Sequence, residues 1–458
     1  MYAKADIYTT ARNTEKRIAN DQQVDIATSV SGDADITVHT DAERQEILGF
    51  GGAFTEAMAN ALSRVSSVNR RKALDALFDM TNGNRYSFCR THINSCDFST
   101  QNYSYCDTPG DTRLETFDVS HDEGTLIPLI TEAEEIRGEP LRLFASPWSP
   151  PAWMKTTGRM NRGGSLRREY YELWAQYFVK YIQAYAERGV RIWGVTPQNE
   201  PLAITPWDNC VYTHAEEREL VRCLGRAFKE HGLAQVKIIV WDHNKDCMQE
   251  RLDTLFSDLE VYDYTWGVGF HWYGPMDTES TVDDSVLDYT HKSYPGKPLV
   301  FTEGCNPVPA GASLDSMLGA WWTGEKYARH IIADLNHYTC AWTDWNMVLD
   351  EQGGPNHVGN YCHAPIIADT VNDRLLFEPP YYYLGHFSRF IDAGAVCLET
   401  QCGARDRQCA AVRNPDGKIA LVVLNESEEA RATSVAINGN DAFSLETPAH
   451  SIQTAVIS

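Results

Sequence analysis

The 458-residue sequence has no uninterrupted apolar run approaching the ~18 residues that a membrane-spanning helix needs. Its opening residues, Met1-Tyr-Ala-Lys-Ala-Asp-Ile-Tyr, carry no apolar stretch of the secretory type. A cytoplasmic protein is therefore expected, or a secreted one only if a leader has been trimmed away. Positive charge is scarce. Lys and Arg number 40 against 63 Asp and Glu, for a net charge of −23. Such a surface repels phosphate backbones and anionic lipid, so neither nucleic acid nor membrane insertion is expected, and a neutral substrate fits better than an acidic one. There are twelve cysteines but no C-x-x-C pair. That disfavours zinc knuckles and thioredoxin-type sites and suits free thiols in a reducing compartment. The G-x-S-x-G elbow, the H-E-x-x-H helix and the Walker loop are all missing. No H-x-H pair follows the first strand, and the scattered histidines have no metal-ligand spacing. Neither a metal nor a cofactor is expected.

Aromatic residues, in contrast, are abundant at 11%, with 12 Trp and 22 Tyr. Eight short apolar segments read as strands, at 47–54, 85–93, 141–146, 192–196, 236–241, 268–272, 299–302 and 340–345. They alternate with amphipathic windows. The clearest helix is 165–188, where Leu166, Tyr170, Leu173, Trp174, Tyr177, Phe178, Tyr181, Ile182 and Tyr185 share one face. Ser165 is read as its N-cap and Gly189 as its stop. Further helical windows are 69–80, 216–231, 314–337 and 381–392. Eight strands alternating with helices predict an α/β fold of (β/α)8 TIM-barrel type. The competing doubly wound sheet usually shows a Gly-rich phosphate turn after its first strand, and none is present. Gly49-Phe-Gly-Gly52 is read instead as small residues where strand one turns sharply into the first helix. Beyond residue 392 the texture changes to short alternating segments with an Asn414-Pro-Asp-Gly417 turn, an all-β module. The expected division is 1–44, N-terminal strands contributing to a flanking β-sandwich; 45–392, the catalytic barrel; and 393–458, the C-terminal part of the sandwich.

In such a barrel the chemistry sits where strands end. Strand four runs into Pro197-Gln-Asn-Glu-Pro201 and strand seven into Glu303-Gly-Cys305, so each delivers one carboxylate, Glu200 and Glu303. Asn199 adjoins the first. A single strand-end Glu is most simply an ion-pair or capping residue. Two of them on strands four and seven suit glycoside hydrolysis, in which one carboxyl group donates a proton and the other attacks the anomeric carbon. Polar and aromatic residues cluster toward the other strand ends: Arg90 and Asp97 at strand two, Trp148 at three, His271 and Tyr273 at six, Trp345 at eight. Trp offers a platform for the CH face of a sugar, and the polar groups suit its hydroxyls.

Together these stretches resemble the glucosylceramidase family of glycosidases, glycoside hydrolase family 30. The matching segments include Gly49-Phe-Gly-Gly-Ala-Phe-Thr-Glu56, Ser95-Cys-Asp-Phe-Ser99, Ala145-Ser-Pro-Trp-Ser-Pro-Pro-Ala-Trp153, Gln198-Asn-Glu-Pro201, His271-Trp-Tyr273, Thr302-Glu-Gly-Cys305, Asp344-Trp-Asn346 and Gly353-Gly-Pro-Asn356. The resemblance implies a barrel flanked by a sandwich built from both chain ends. It also implies a retaining mechanism in which Glu200 is the acid/base and Glu303 the nucleophile. Asn199 would hold the 2-hydroxyl. Arg90, Asp97, Trp148, His271, Tyr273, Trp345 and Asn360 would line the pocket for the terminal sugar. His357 and Tyr361 stand where the lysosomal ceramide-cleaving members carry other residues. The expected activity is exo-hydrolysis of terminal β-D-glucosidic bonds in small glucosides or short β-1,6-linked gluco-oligosaccharides. Alternatives on the same fold are an endo-β-1,6-glucanase, a β-xylosidase, a true glucosylceramidase of sphingolipid metabolism, or a silent carbohydrate-binding protein. The presence of both Glu residues argues against the last.

Overall fold

The computed structural model describes residues 2–27, 34–274, 283–403, 407–439 and 441–458. Eight parallel strands close into a barrel in chain order: Gly49–Phe54, Phe88–Ile93, Arg142–Pro147, Ile192–Val195, Lys237–Asn244, Thr265–His271, Leu299–Glu303 and Thr339–Asp344. These are barrel strands one to eight. Closure is made by strand eight on strand one, with Ala341 opposite Gly49 through Asp344 opposite Gly52. All eight segments expected from the sequence are strands of this barrel. Strand five runs on past Trp241 to Asn244.

Helices cover the outside of the barrel, so its strands are buried on both faces and read as continuous apolar runs. Inside, Phe88, Phe144, Ile239, Val300, Cys340 and Ala341 form an apolar plug. Side chains along a strand alternate between faces, so Phe88 in the plug shares its face with Arg90, one step nearer the strand's C-terminal end. The Arg90 guanidinium lies 5.8 Å from the Phe144 ring. The polar layer therefore begins directly on the plug.

The glycines of strand one differ from expectation. They lie inside the strand, not at its exit, and they are small because neighbours crowd them. A Cβ on Gly51 would come within 2.2 Å of the Phe88 carbonyl oxygen, and one on Gly52 within 2.4 Å of Met347 Cγ. The aromatic helix starts later than predicted, as a 3₁₀ turn at Arg168–Tyr170 followed by Tyr171–Glu187. Ser165 does not cap it. Its amide donates to Thr156 Oγ1 at 3.0 Å, and Leu166 bridges Lys155, which draws this segment into a loop. Gly189, at φ +84°, ends the helix as expected. The 314–337 window splits into a 3₁₀ turn, Leu314–Ser316, and a helix, Trp321–Asn336. Gly319 lies between them at φ +69°, and its amide donates to Glu378 Oε2 at 2.6 Å.

Nine further strands form one sheet in the order Ala19–Asp25, Lys4–Ala11, Ser451–Ile457, Ile419–Asn425, Arg407–Arg413, Val396–Cys402, Ile36–Glu46, Arg431–Ile437 and Asp441–Thr447. Strands from the two chain ends are thus direct neighbours. The sheet folds over a core that includes Ile7, Val38, Leu421, Val423 and Val435. The Asn414-Pro-Asp-Gly417 turn joins two antiparallel strands, with Gly417 at φ +85°. Strand Asp441–Thr447 had no counterpart in the sequence reading. On its other side the sheet meets the barrel helix Pro379–Ser388. There the buried His386 ring lies 2.9 Å from both the Thr10 and Thr454 hydroxyls, one from each chain end. After strand eight a small sheet, Val348–Asp350, Ile366–Asp369 and Arg374–Phe377, carries the loop holding Asn360 over the barrel mouth. Among the described residues no helix is long and apolar enough to cross a membrane.

Candidate active site

The C-terminal ends of the strands open into a cavity of about 360 Å³. Of the residues expected from the sequence, Asp97, Trp148, Asn199, Glu200, Tyr273, Glu303, Trp345 and Asn360 line it. Arg90 and His271, expected as lining residues, lie beneath its wall with no exposed surface. They act on the lining groups from below.

Arg90 is the hub. Its Nη1 donates to Glu303 Oε2 at 2.5 Å, its Nη2 to Asn199 Oδ1 and Asp242 Oδ2 at 2.8 Å each, and its Nε to Ser146 Oγ at 3.0 Å. Only a guanidinium places donors in such a fork. The second hub is Asp242, which also accepts from Thr196 Oγ1 at 2.6 Å and Ser146 Oγ at 3.0 Å. Its Oδ1 lies 3.0 Å from His271 Nε2, and His271 Nδ1 lies 3.1 Å from Glu200 Oε1. Glu303 in turn accepts from the Tyr273 hydroxyl at 3.2 Å. One chain of contacts, Glu200–His271–Asp242–Arg90–Glu303, therefore joins the two carboxylates.

Backbone geometry sets these side chains. Glu200 is held at φ +46°, a region that costs a non-glycine residue ~1–3 kcal/mol. It is pinned there by its amide donating to the Asp242 carbonyl at 2.9 Å, while the Asn199 amide donates to the Pro147 carbonyl at 2.9 Å. Strand five bulges between Trp241 and His243, with Trp241 and Asp242 at φ +77° and +54°. The bulge breaks the usual alternation. Successive residues then reach the same cluster, Asp242 at His271 and His243 at Glu200, 3.8 Å away. Trp148 and Trp345 stack at 4.8 Å with 17° between their planes. Asn360 Nδ2 donates to Asp97 Oδ2 at 2.8 Å, while Asp97 Oδ1 is buried without a hydrogen-bond partner.

The electrostatics follow from this crowding. Burial raises Asp97, the charges of Glu303 and Glu200 add to it, and its carboxyl is pushed up to about 8. Burial also lifts Glu303 above the ordinary carboxyl range, against the pull of His271 and Arg90. For Asp242 the opposing cations win over burial, and it stays ionised. Glu200 is likewise buried, but its contact with His271 and the nearby His243 hold it below the ordinary value. His271, despite burial, is raised to about 9 by Glu303, Asp242 and Glu200. With Arg90 and His271 charged against Asp242, the cluster is neutral when Glu200 and Glu303 share one proton. That proton belongs to the pair.

His271 should thus make folding pH-dependent. Its folded value near 9 exceeds the unfolded value of ~6.5. The imidazolium's contribution is fully present below pH ~6.5 and is lost as pH rises toward ~9, up to about 3 kcal/mol in all. Urea midpoints taken from pH 6 to 9.5 should fall for the wild type and fall less for His271→Asn. Parallel curves would show that His271 is not charged in the folded protein.

Asp242, His243 and Trp207 were missed in the sequence. The first two carried a usable signal, because Asp242-His243-Asn244 is a polar run directly after an apolar strand, as at the other strand ends.

The description "Glycosyl hydrolase family 30 TIM-barrel domain" matches residues 47–391, and "Glycosyl hydrolase family 30 beta sandwich domain" matches residues 394–455. The chain belongs to glycosyl hydrolase family 30. Lysosomal acid glucosylceramidase of Mus musculus is 36% identical over 92% of this chain and 82% of its own. Among solved structures, SrfJ from Salmonella typhimurium superposes with a TM-score of 0.92 at 32% identity, covering 99% of both chains. An endo-β1,6-glucanase superposes with a TM-score of 0.84 at 27% identity, also covering 99% of both. This family 30 enzyme is therefore a glycoside hydrolase acting on carbohydrate or glucoside substrates, with the retaining chemistry typical of its family.

Proposed function

We propose that this enzyme removes terminal β-D-glucosyl units from short oligosaccharides or small β-glucosides, with Glu303 as nucleophile and Glu200 as acid/base. The observation that carries this reading is the single cavity where both carboxylates meet the stacked tryptophans, Asp97 and Asn360. In the first step a Glu303 oxygen attacks the anomeric carbon as the glycosidic bond breaks, and the leaving oxygen takes the proton of Glu200. The product is a glycosyl ester on Glu303. In the second step water attacks the same carbon, Glu200 takes its proton, and Glu303 is released as carboxylate. Two inversions give net retention. Arg90 and Tyr273 both donate to Glu303, which favours its ionised form. Burial of Glu303 and the His271 contact on Glu200 instead draw the shared proton toward Glu303, so the first step requires that proton to move to Glu200. Asn199 Oδ1 is occupied by Arg90, so its amide NH2 is free to donate to the 2-hydroxyl. The unpaired Asp97 oxygen suits a hydroxyl at the far edge of the ring.

The name of the mouse relative supports a β-glucoside. The cavity volume of 360 Å³ lies near the small end of the ~300–1,000 Å³ range of ligand pockets and suits one enclosed terminal sugar. The net charge of −23 favours a freely diffusing neutral glucoside over a glycolipid embedded in an anionic membrane. The likeness to an endo-β1,6-glucanase favours a second reading, internal cleavage of β-1,6-glucan. Time courses on a β-1,6-linked gluco-oligosaccharide series separate the two. Exo action releases glucose from the first minutes, whereas early accumulation of mid-length products would refute it.

A further inference from the structure

His243 has no part in the chemistry above, yet it is held at the acid/base. Its Nδ1 is buried without a hydrogen-bond partner and lies 3.8 Å from Glu200 Oε1. Glu200 Oε1 is also 3.1 Å from His271 Nδ1. The three ligand-type atoms, one from each residue, lie within 4.8 Å of one another. Zinc bonds to imidazole nitrogen and carboxylate oxygen are ~2.0–2.2 Å long, so ligand atoms around a tetrahedral zinc stand ~3.3 Å apart. Small side-chain movements would bring the three to that spacing. His271 already has the support usual for a metal-bound imidazole, since its other nitrogen faces the Asp242 carboxylate at 3.0 Å. Glu200 and His243 both line the open cavity, which gives an entry path and leaves room for a fourth, water ligand.

We propose that Glu200, His243 and His271 form a binding site for a zinc-class divalent cation, and that its occupancy silences the enzyme. Two imidazoles and one carboxylate suit Zn²⁺ or Cu²⁺. They are a poor set for Mg²⁺ or Ca²⁺, which prefer all-oxygen shells. A bound cation displaces the Nδ1 proton of His271 to solvent, takes the Glu200 oxygen that would otherwise carry the transferable proton, and occupies space beside the leaving group. The silencing rests on Glu200 being the acid/base; the binding does not. The site left no trace in sequence spacing because its ligands come from the ends of strands four, five and six.

The test uses the full chain. Zn²⁺ binding is measured by calorimetry, Co²⁺ binding by absorption, and aryl β-glucoside hydrolysis is followed with and without Zn²⁺, with Mg²⁺ as control. The wild type should bind Zn²⁺ at this site and lose activity, with Mg²⁺ inert. The bound Co²⁺ should lack the intense near-ultraviolet band of thiolate ligation. His243→Gln, or His243→Asn should the first not fold, should weaken both binding and inhibition at least tenfold, each relative to that variant's own metal-free rate. No Zn²⁺ binding at millimolar concentration would overturn the proposal. So would a thiolate-type Co²⁺ spectrum or binding unchanged in the His243 variants, because the metal would then be on cysteines. Binding here without inhibition would overturn the silencing. Absence of any glycosidase activity, with Zn²⁺ still bound here, would instead refute the function proposed above.

Discussion

Glu303→Ala is expected to lower kcat on an aryl β-glucoside on the order of 10⁵-fold or more, the scale seen when a covalent enzyme loses its nucleophile. Among the described residues lining the cavity, none replaces it. Among the groups around the anomeric position, Asp242 is fully buried between Arg90 and His271, and Asp97 is tied to Asn360 and pushed up to about 8. Glu200→Ala should behave differently. The loss should be ~10²–10⁴-fold on substrates that need a proton to leave. It should be small in the first step for dinitrophenyl glucosides, whose phenolate departs unaided. Azide gives the sharpest distinction. In Glu200→Ala it should attack the glycosyl ester and yield a β-glucosyl azide. In Glu303→Ala it should fill the vacated space and attack the substrate directly, yielding the α-azide. Product analysis by NMR reads the anomeric configuration. The same anomer from both variants, or equal losses with no rescue, would overturn the assignment.

The second large effect is on the protein's integrity. Arg90 is fully buried and meets two carboxylates, one of which, Asp242, is also fully buried. Arg90→Met leaves Asp242 with only half its counter-charge, and removing one partner of such a pair costs ~3–5 kcal/mol. Arg90→Lys keeps the charge but not the fork, and one ammonium cannot meet Ser146, Asn199, Asp242 and Glu303 together. It should fall between the wild type and Arg90→Met in stability, while losing activity, because Glu303 and Asn199 are no longer held in place. Arg90→Met with Asp242→Asn should be more stable than the sum of the two single changes, with a coupling of ~0.5–3 kcal/mol. Urea denaturation midpoints of the four proteins complete the cycle. Strict additivity, or a wild-type midpoint in Arg90→Met, would remove Arg90 from this role.

Much of the molecule was legible in the sequence. Apolar runs of strand length separated by amphipathic helices were enough to predict the eight barrel strands, because both features follow from local periodicity. The rule that catalytic groups follow barrel strands then singled out Glu200 and Glu303 without any knowledge of distance. Where the local signal was weak, the reading slipped. Ser165 looked like a cap until Thr156 claimed its amide, and the glycines of strand one looked like a turn until Phe88 and Met347 were seen to crowd them.

The partners of each charge were beyond the sequence. Arg90 lies 109 residues from Asn199, 152 from Asp242 and 213 from Glu303, and the Asp97–Asn360 contact spans 263. No window of sequence contains such pairs. They meet only because eight strands close on one another and bring every strand end to the same mouth. Composition and periodicity determined that there would be a barrel with two carboxylates at its rim. Closure, the bulge in strand five and the left-handed turn at Glu200 decided which residues line the cavity, which lie beneath it as supports, and where the shared proton can reside. Pairing energies between buried charges depend on distance and burial, and those quantities exist only once the chain has folded.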